Sequence, residues 1–479
     1  MPALPAYNST PMRLLTATVL LIPLLTGCPA NRGNVSGTAG SVPRGNYAGA
    51  PASPGPLSTE ASLGLRLLCE AIDGFRPGVP PSQEALIALE LAAKLPELES
   101  DSRLAPLKDS IVEASHREQA AKGQPQPLLL AALLRIEPDA AADRIRQLAA
   151  AGDATVFAAL RFDAARASLV LERLDAAKLN AAQAGAVLDL LRELSASTPL
   201  GTGTPAAVYP GAELLPLLTK LAARPEPEIA LRACGYLLRL KPGDSLLHDR
   251  LWQALRDAKA GEMAAAAEGA RISADPGLAD ALIPLAMSIP LRSKPGAAKT
   301  SSAMLYATYT LSFLPGGQAD LMRSKLTGAA DSLARCQVRL GVLLAGDPGP
   351  WMDEVNNVGI DDRSLWIALR PPEAVSPQLL DTYALAEEKG GVFAQGAAAE
   401  QLNRYGRFQS KDVKRRAARI LQPLLVNQDP EVRAAAWYTA CSLGLPPPEK
   451  ELQDALRGDM ISERIRLTAA YLALRAGLE

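Results

Sequence analysis

The chain is 479 residues long, sets 50 basic against 51 acidic residues for a net charge of −1, and has a sequence pI near 6.3. That balance lacks the whole-chain basic footprint left by nucleic-acid binding, so no nucleic acid is expected as a partner. Only 4% of residues are aromatic against 48% hydrophobic, with alanine and leucine prominent, which suits closely packed helices better than a sandwich or barrel of strands.

At the N-terminus, Arg13 precedes a mostly apolar stretch from Leu14 to Leu25. One positive charge before about a dozen such residues has the form of an export signal, whereas a permanent span needs about 18. The stretch ends in Leu25-Thr26-Gly27-Cys28, which resembles the lipobox of bacterial lipoproteins: an apolar residue, two small residues, then the cysteine that receives the lipid. The resemblance implies cleavage before Cys28, a signal peptide over residues 1–27, and two or three acyl chains on the new N-terminus. Two or more chains anchor a protein stably where one does not. The expected location is the exported side of a cell membrane or outer membrane, with the lipid bilayer as a partner through Cys28. Pro29, in place of the aspartate that resembles an inner-membrane retention signal, leans toward the outer membrane. Residues 1–11 hold no basic residue but include Pro2, Pro5 and Pro11, so Met12-Arg13 is an alternative expected start.

Residues 28–58 comprise the lipidated cysteine and a stretch rich in Gly, Pro, Asn, Ser and Ala, with Arg32 and Arg44 its only charges. So few large apolar side chains cannot bury a core, and a flexible linker is expected. At about 5–6 Å × √n, some 30 residues reach about 30 Å.

Residues 59–479 form a succession of Ala/Leu-rich segments with helical spacing, separated by Gly, Pro or Asp turns. The spacing predicts helices over Glu60–Asp73 closed by Gly74, Gln83–Leu95 after Pro80-Pro81-Ser82, Asp139–Ala151 closed by Gly152, and Gly211–Ala223 before Pro225. The fold class is all-α.

A repeat is clearest near the C-terminus, in Asp429-Pro430-Glu431-Val432-Arg433-Ala434-Ala435-Ala436. Asp429 can cap free N–H groups, Pro430 suits a first helical turn, Gly444 can end the helix, and Val432 and Ala436 share a face. Ile465-Arg466-Leu467-Thr468-Ala469 echoes it 33 residues after Val432, and Lys411-Asp412-Val413-Lys414-Arg415-Arg416-Ala417 and Pro227-Glu228-Ile229-Ala230-Leu231-Arg232-Ala233 echo it in part. The Asp-Pro opening with a following Val-Arg pair resembles the second helix of a HEAT repeat. That resemblance implies an α-solenoid of stacked antiparallel helix pairs, clearest over 411–476, with pairs 411–426 with 430–443 and 449–457 with 461–476. Such pairs bury a continuous core only by stacking on neighbours. Elsewhere a tetratricopeptide-like or irregular solenoid fits equally well.

Motifs that carry chemistry are few. The two histidines, His116 and His248, are far apart, form no HExxH pair and are expected on solvated helix ends, and there is no GxSxG elbow. Gly296-Ala297-Ala298-Lys299-Thr300 departs from a phosphate loop in having Ala298 where glycine is required. Cys69, Cys234, Cys336 and Cys441 show no CxxC spacing and are expected as small buried hydrophobes. Acidic pairs at Asp353-Glu354 and Asp361-Asp362 lack EF-hand spacing. No catalytic, metal or cofactor site is therefore expected.

Two features are candidate partner-binding sites. Trp351 and Trp366 lie in the break in helical rhythm at Gly346–Pro377, where the competing explanation, a divergent repeat with its tryptophans in the core, is the commoner one. Arg404, Arg407, Lys411, Lys414, Arg415, Arg416 and Arg419 form a basic run offset by Asp412, suited to anionic headgroups or an acidic partner, although a solvated helix face is the commoner reading. The functional expectation is a membrane-tethered helical-repeat scaffold of the cell envelope that binds a protein or peptide and is not an enzyme. The other class is an envelope enzyme with an all-α catalytic domain acting on cell-wall glycan, for which this chain is short of the clustered aromatics that stack on sugars.

Overall fold

The computed structural model describes residues 55–121, 125–195, 211–257, 259–288, 301–314, 339, 349, 379–407, 410–443, 445, 449–458 and 462–478. Nineteen α-helices and a few 3-10 turns make up this part, and no strand occurs among the described residues. The chain is all-α there, and the expected helix boundaries hold to within a few residues. Helix α1 spans Thr59–Asp73, its N-terminus capped by Ser58 Oγ, which accepts from Ala61 N at 3.2 Å, and its C-terminus by Gly74. In α2, Gln83–Ala93, Ser82 plays the same part for Ala85 N. Each cap satisfies an N–H that would otherwise have no intrahelical acceptor.

The helices α3 (Ala105–Ala121), α4 (Pro127–Ile136) and α5 (Pro138–Ala150) follow, and Gly152, at φ +100°, turns the chain after α5. A 3-10 segment, Thr155–Phe162, leads to α6 (Ala164–Leu171) and α7 (Ala181–Ser195). The segment expected as one helix over 211–223 divides into a 3-10 turn, Ala212–Leu214, and α8, Leu215–Ala222, with Pro216 in its first turn. Next come α9 (Pro227–Leu240), α10 (Ser245–Asp257), α11 (Ala260–Ser273), α12 (Ala279–Met287) and α13 (Ser302–Phe313). The C-terminal part comprises α14 (Leu379–Lys389), α15 (Val392–Leu402), α16 (Lys411–Leu424), α17 (Pro430–Leu443), α18 (Glu449–Arg457) and α19 (Glu463–Leu478).

Two layers follow from where the apolar side chains fall. In the first, α2, α4, the 3-10 segment, α7, α9, α11 and α13 touch in succession, as do α15, α17 and α19. These helices bury side chains on most of their circumference: eight residues of α2, eight of α4 and nine of α19 are buried. Helices of the second layer carry one apolar stripe; α16 buries only Ala417, Ile420, Leu421 and Leu424. A helix apolar on all sides must be covered on all sides, whereas a striped one can face solvent.

The order in space differs from the order along the chain. Helix α19 packs along α1 and against α2, so the first and last described helices are neighbours. The described helices therefore stack as α14 to α19 and then α1 to α13, with both ends of the helical region inside the stack. Small residues allow this junction: a Cβ on Gly64 would collide with the Ala470 carbonyl, and one on Gly477 with the Ala61 methyl. Arg103, held by Asp101 at 2.7 Å, donates to Gly477 O at 3.2 Å and Leu478 O at 3.1 Å and reaches Gly55 O at 3.4 Å. One guanidinium thus ties both ends of the helical region together.

Gly64→Ala forces a methyl into the α19 backbone and is expected to destabilise the fold by about 1–3 kcal/mol. Gly185→Ala in α7, where an added Cβ meets nothing within 4 Å, should stabilise by about 0.5–1 kcal/mol. Denaturant midpoints at unchanged slope measure both, and opposite signs are the expected outcome.

Candidate functional site: buried charges at the junction and a basic outer helix

The junction of α2, α15, α17 and α19 leaves a partly open cavity of about 30 Å³ lined among others by Glu90, Lys94, Glu400, Tyr438, Arg464 and Thr468. At roughly 10–15 Å³ per water, it has room for about two. Glu90 of α2 and Lys94, the residue that caps its C-terminus, sit one turn apart and pair at 2.5 Å with both side chains buried. Above them, the Lys94 ammonium lies 4.7 Å from the Tyr438 ring centre, and Tyr438 stacks on Tyr471 at 5.5 Å. Arg464 bonds Glu431 at 3.0 Å.

Burial alone would raise the Glu90 carboxyl, but Lys94, Arg464 and Arg161 together outweigh it and hold Glu90 below the ordinary glutamate range. The Lys94 ammonium is also pushed down, first by burial, with Glu90 opposing and Arg464 and Arg161 adding to the shift. The two directions have different leading causes: the surrounding cations lower Glu90, whereas burial is the chief reason Lys94 is lowered, with Arg464 and Arg161 adding to it. Arg161, 7% exposed, lies 4.9 Å from the Phe162 ring and is lowered by burial against the pull of Glu90 and Glu193. Glu193 is raised by burial, tempered by Arg161 and Arg192.

A second network joins α7, α9 and α11. Glu268 faces Arg192 at 3.2 Å, Arg232 at 3.1 Å and Arg271 at 3.6 Å, and Arg232 also reaches Asp189 at 2.6 Å. Burial lowers Arg192, but Glu268 and Asp189 more than compensate and raise it. Three guanidinium groups around one buried carboxylate bind three helices to a common point. These carboxylates are matched by cations, an arrangement suited to fixing helix positions; a lost partner would leave a buried charge unpaired.

Sequence reasoning missed these charges, although their signal is visible in Leu89-Glu90-Leu91, Leu134-Arg135-Ile136 and Leu160-Arg161-Phe162, single charges inside apolar runs. Arg135 shows what such a residue does: buried, it donates to Ala93 O at 2.9 Å and pairs with Asp163 at 2.8 Å.

The expected basic run divides. Lys411, Arg415, Arg416 and Arg419 are exposed on α16 and Lys414 is half-buried, so five of its residues share one helix. Arg415 approaches Asp412 at 3.4 Å, and Arg416 pairs with Asp381 of α14. Arg404 lies apart from that face: it is buried and donates to Gln401 at 2.7 Å, because its turn packs into the layer of α15 and α17. The backbone of Arg407 belongs to the 3-10 turn Asn403–Arg407. Cys28, Trp351, Trp366, the two acidic pairs, Cys336 and the 296–300 loop lie outside the described residues.

His116 is exposed as expected, but His248 is not free in solvent: its Nδ1 lies 2.8 Å from Asp275 Oδ2, because the first turn of α10 packs against the turn that starts α12. Cys234 is a buried free thiol and Cys69 a half-buried one, pushed up to about 11 chiefly by burial. Among the described residues no cluster of three or more His, Cys, Asp or Glu is placed to hold a metal, and no helix is long and apolar enough to cross a membrane. Compared with protein-family models, curated proteins and solved structures, the chain matches none.

Glu90→Gln leaves Lys94 buried without its counter-ion and is expected to cost about 3–5 kcal/mol, while Glu90→Leu with Lys94→Met costs much less. Because the Glu90 carboxyl is depressed in the folded state, its contribution is present above the ordinary glutamate range and is lost as pH falls through its lower folded value. The gap in stability between the parent chain and Glu90→Gln should therefore be widest near neutrality and narrow in acid. Unfolding curves across that range check this; a constant gap would contradict it.

Proposed function

We propose that the chain is a lipid-tethered helical-repeat scaffold of the cell envelope that holds a protein or peptide partner and performs no catalysis. The observation that carries this reading is the seating of successive helices in the C-terminal part. Arg464 meets Glu431 and Tyr471 stacks on Tyr438, two contacts seven residues apart on each helix, so α17 and α19 run parallel and in register. Thr439 Oγ1 donates to Ala399 O at 2.8 Å, and Val432 lies beside Gly396, the same sense of packing between α15 and α17.

The residues of the HEAT-like signature act in ways that support the resemblance. Asp429 Oδ1 accepts from Glu431 N at 2.9 Å and Val432 N at 3.1 Å, Val432 and Ala436 are buried, and Arg433 donates to Asn427 O at 2.8 Å. Helices stacked in this way offer extended surfaces to partners, although a fold alone does not assign a function. The tether rests on the lipobox resemblance at Cys28 and on the linker composition of residues 28–58.

Crosslinking in the native membrane followed by mass spectrometry tests the scaffold: one stoichiometric protein partner is the expected result. Purified protein that turns over a cell-wall glycan fragment would replace the scaffold with an enzyme. Cys28→Ala should move the chain from the membrane to a soluble fraction or leave an unprocessed precursor.

A further inference from the structure

Helix directions place the basic helix relative to the point where the linker enters. Ala61 and Gly64 of α1 face Gly477 and Ala470 of α19 in reverse order, so α1 and α19 are antiparallel. Helix α17 runs parallel to α19, as the paired contacts above require, and α16 reverses into α17 through the short turn after Leu424, with Trp437 Nε1 donating back to Leu425 O at 2.8 Å. Two reversals leave α16 parallel to α1. Their N-termini, Lys411 and Thr59, therefore lie on one edge of the stack. Among the described helices, α18 follows α17 in the chain and touches α1, which places it between α16 and α1 in the outer layer. At about 8–10 Å per helix, the two N-termini are some 20 Å apart.

We propose that this edge rests on an anionic lipid surface, with Lys411, Lys414, Arg415 and Arg419 meeting the headgroups. The proposal deepens the tether reading and rests on it: residues 28–58, which that reading ties to the lipid, meet α1 at Ser58, on the edge where α16 also starts. Charge favours this occupant. Helix α16 presents Lys411, Lys414, Arg415, Arg416 and Arg419 against a single Asp412; Asp381 neutralises Arg416, and Lys411, Lys414 and Arg419 have no acidic partner among the described residues. Helix α18 opens with Glu449-Lys450-Glu451, which is net negative, so the attraction belongs to α16. The opposite edge is chemically different. The α1–α2 loop, the start of α15 and the turn after α16 expose Val79 at 57%, Val392 at 48% and Val426 at 57% there.

The test uses the full lipidated chain, reconstituted on vesicles of phosphatidylcholine alone or with phosphatidylglycerol added and treated with an amine-acetylating reagent. Lys411 and Lys414 are read by mass spectrometry against Lys178, whose side chain is 80% exposed. Both should react roughly fivefold more slowly on the anionic vesicles, the effect of about one basic side chain held near such a surface. The difference should vanish at about 1 M salt, where screening falls to about 3 Å. Arg415→Gln with Arg419→Gln, two exposed positions, should weaken the protection without altering the unfolding curve. Equal reactivity on both vesicles would overturn the proposal. So would protection in native membranes that phosphatidylglycerol does not reproduce, which would assign the face to an acidic protein. A chain that leaves neutral vesicles altogether would overturn the tether, and the proposal with it, an outcome visible before any footprint is read.

Discussion

The close approach of α1 to α19 is the contact on which the arrangement of the helices depends. Neither helix can complete its buried surface locally: α1 leaves Ala61, Gly64, Leu65 and Leu68 to be covered, and α19 is buried on most of its circumference. The two elements lie about 400 residues apart in the chain, yet glycine and alanine at Gly64, Ala61, Ala470 and Gly477 let their backbones touch. The same device recurs where Gly235 of α9 faces Gly269 of α11. Side chains of ordinary size at either crossing would hold the helices apart.

Once the helices are that close, burial of charge becomes unavoidable for the long polar side chains that share those faces. The structure handles this by pairing across elements as well as along them. Glu268 gathers cations from three helices, and Arg135 bridges α4 to Ala93 of α2 and to Asp163 beyond the 3-10 segment. Such pairs add little net stability, since desolvation offsets most of the Coulombic gain. Their effect is on register: a helix displaced by one turn would leave several buried charges without partners. Alanine faces alone tolerate many registers, so the charges supply the discrimination that small apolar residues lack.

The local punctuation of the chain is legible in its residues alone. Ser58 and Ser82 mark helix starts, Gly74 and Gly152 mark ends, and Asp429-Pro430 opens α17 where the pattern says it should. These signals are readable because a cap acts within three or four residues of itself, through hydrogen bonds that need no distant partner. The basic character of α16 is equally plain, because an outward face is composed of whatever the sequence places there.

Composition and spacing thus determined that the described part of the chain is helical, where several of its helices begin and end, and that most of a basic run falls on one of them. Tertiary structure alone decided that the two ends of the helical region adjoin, that Arg404 turns inward while Arg415 and Arg419 stay outside, and that Glu90, Lys94 and Arg161 share one buried site. The physical reason is range. Caps and helical periodicity are set by neighbours in sequence, whereas burial, charge pairing and the meeting of α1 with α19 depend on groups that only folding brings within a few ångströms.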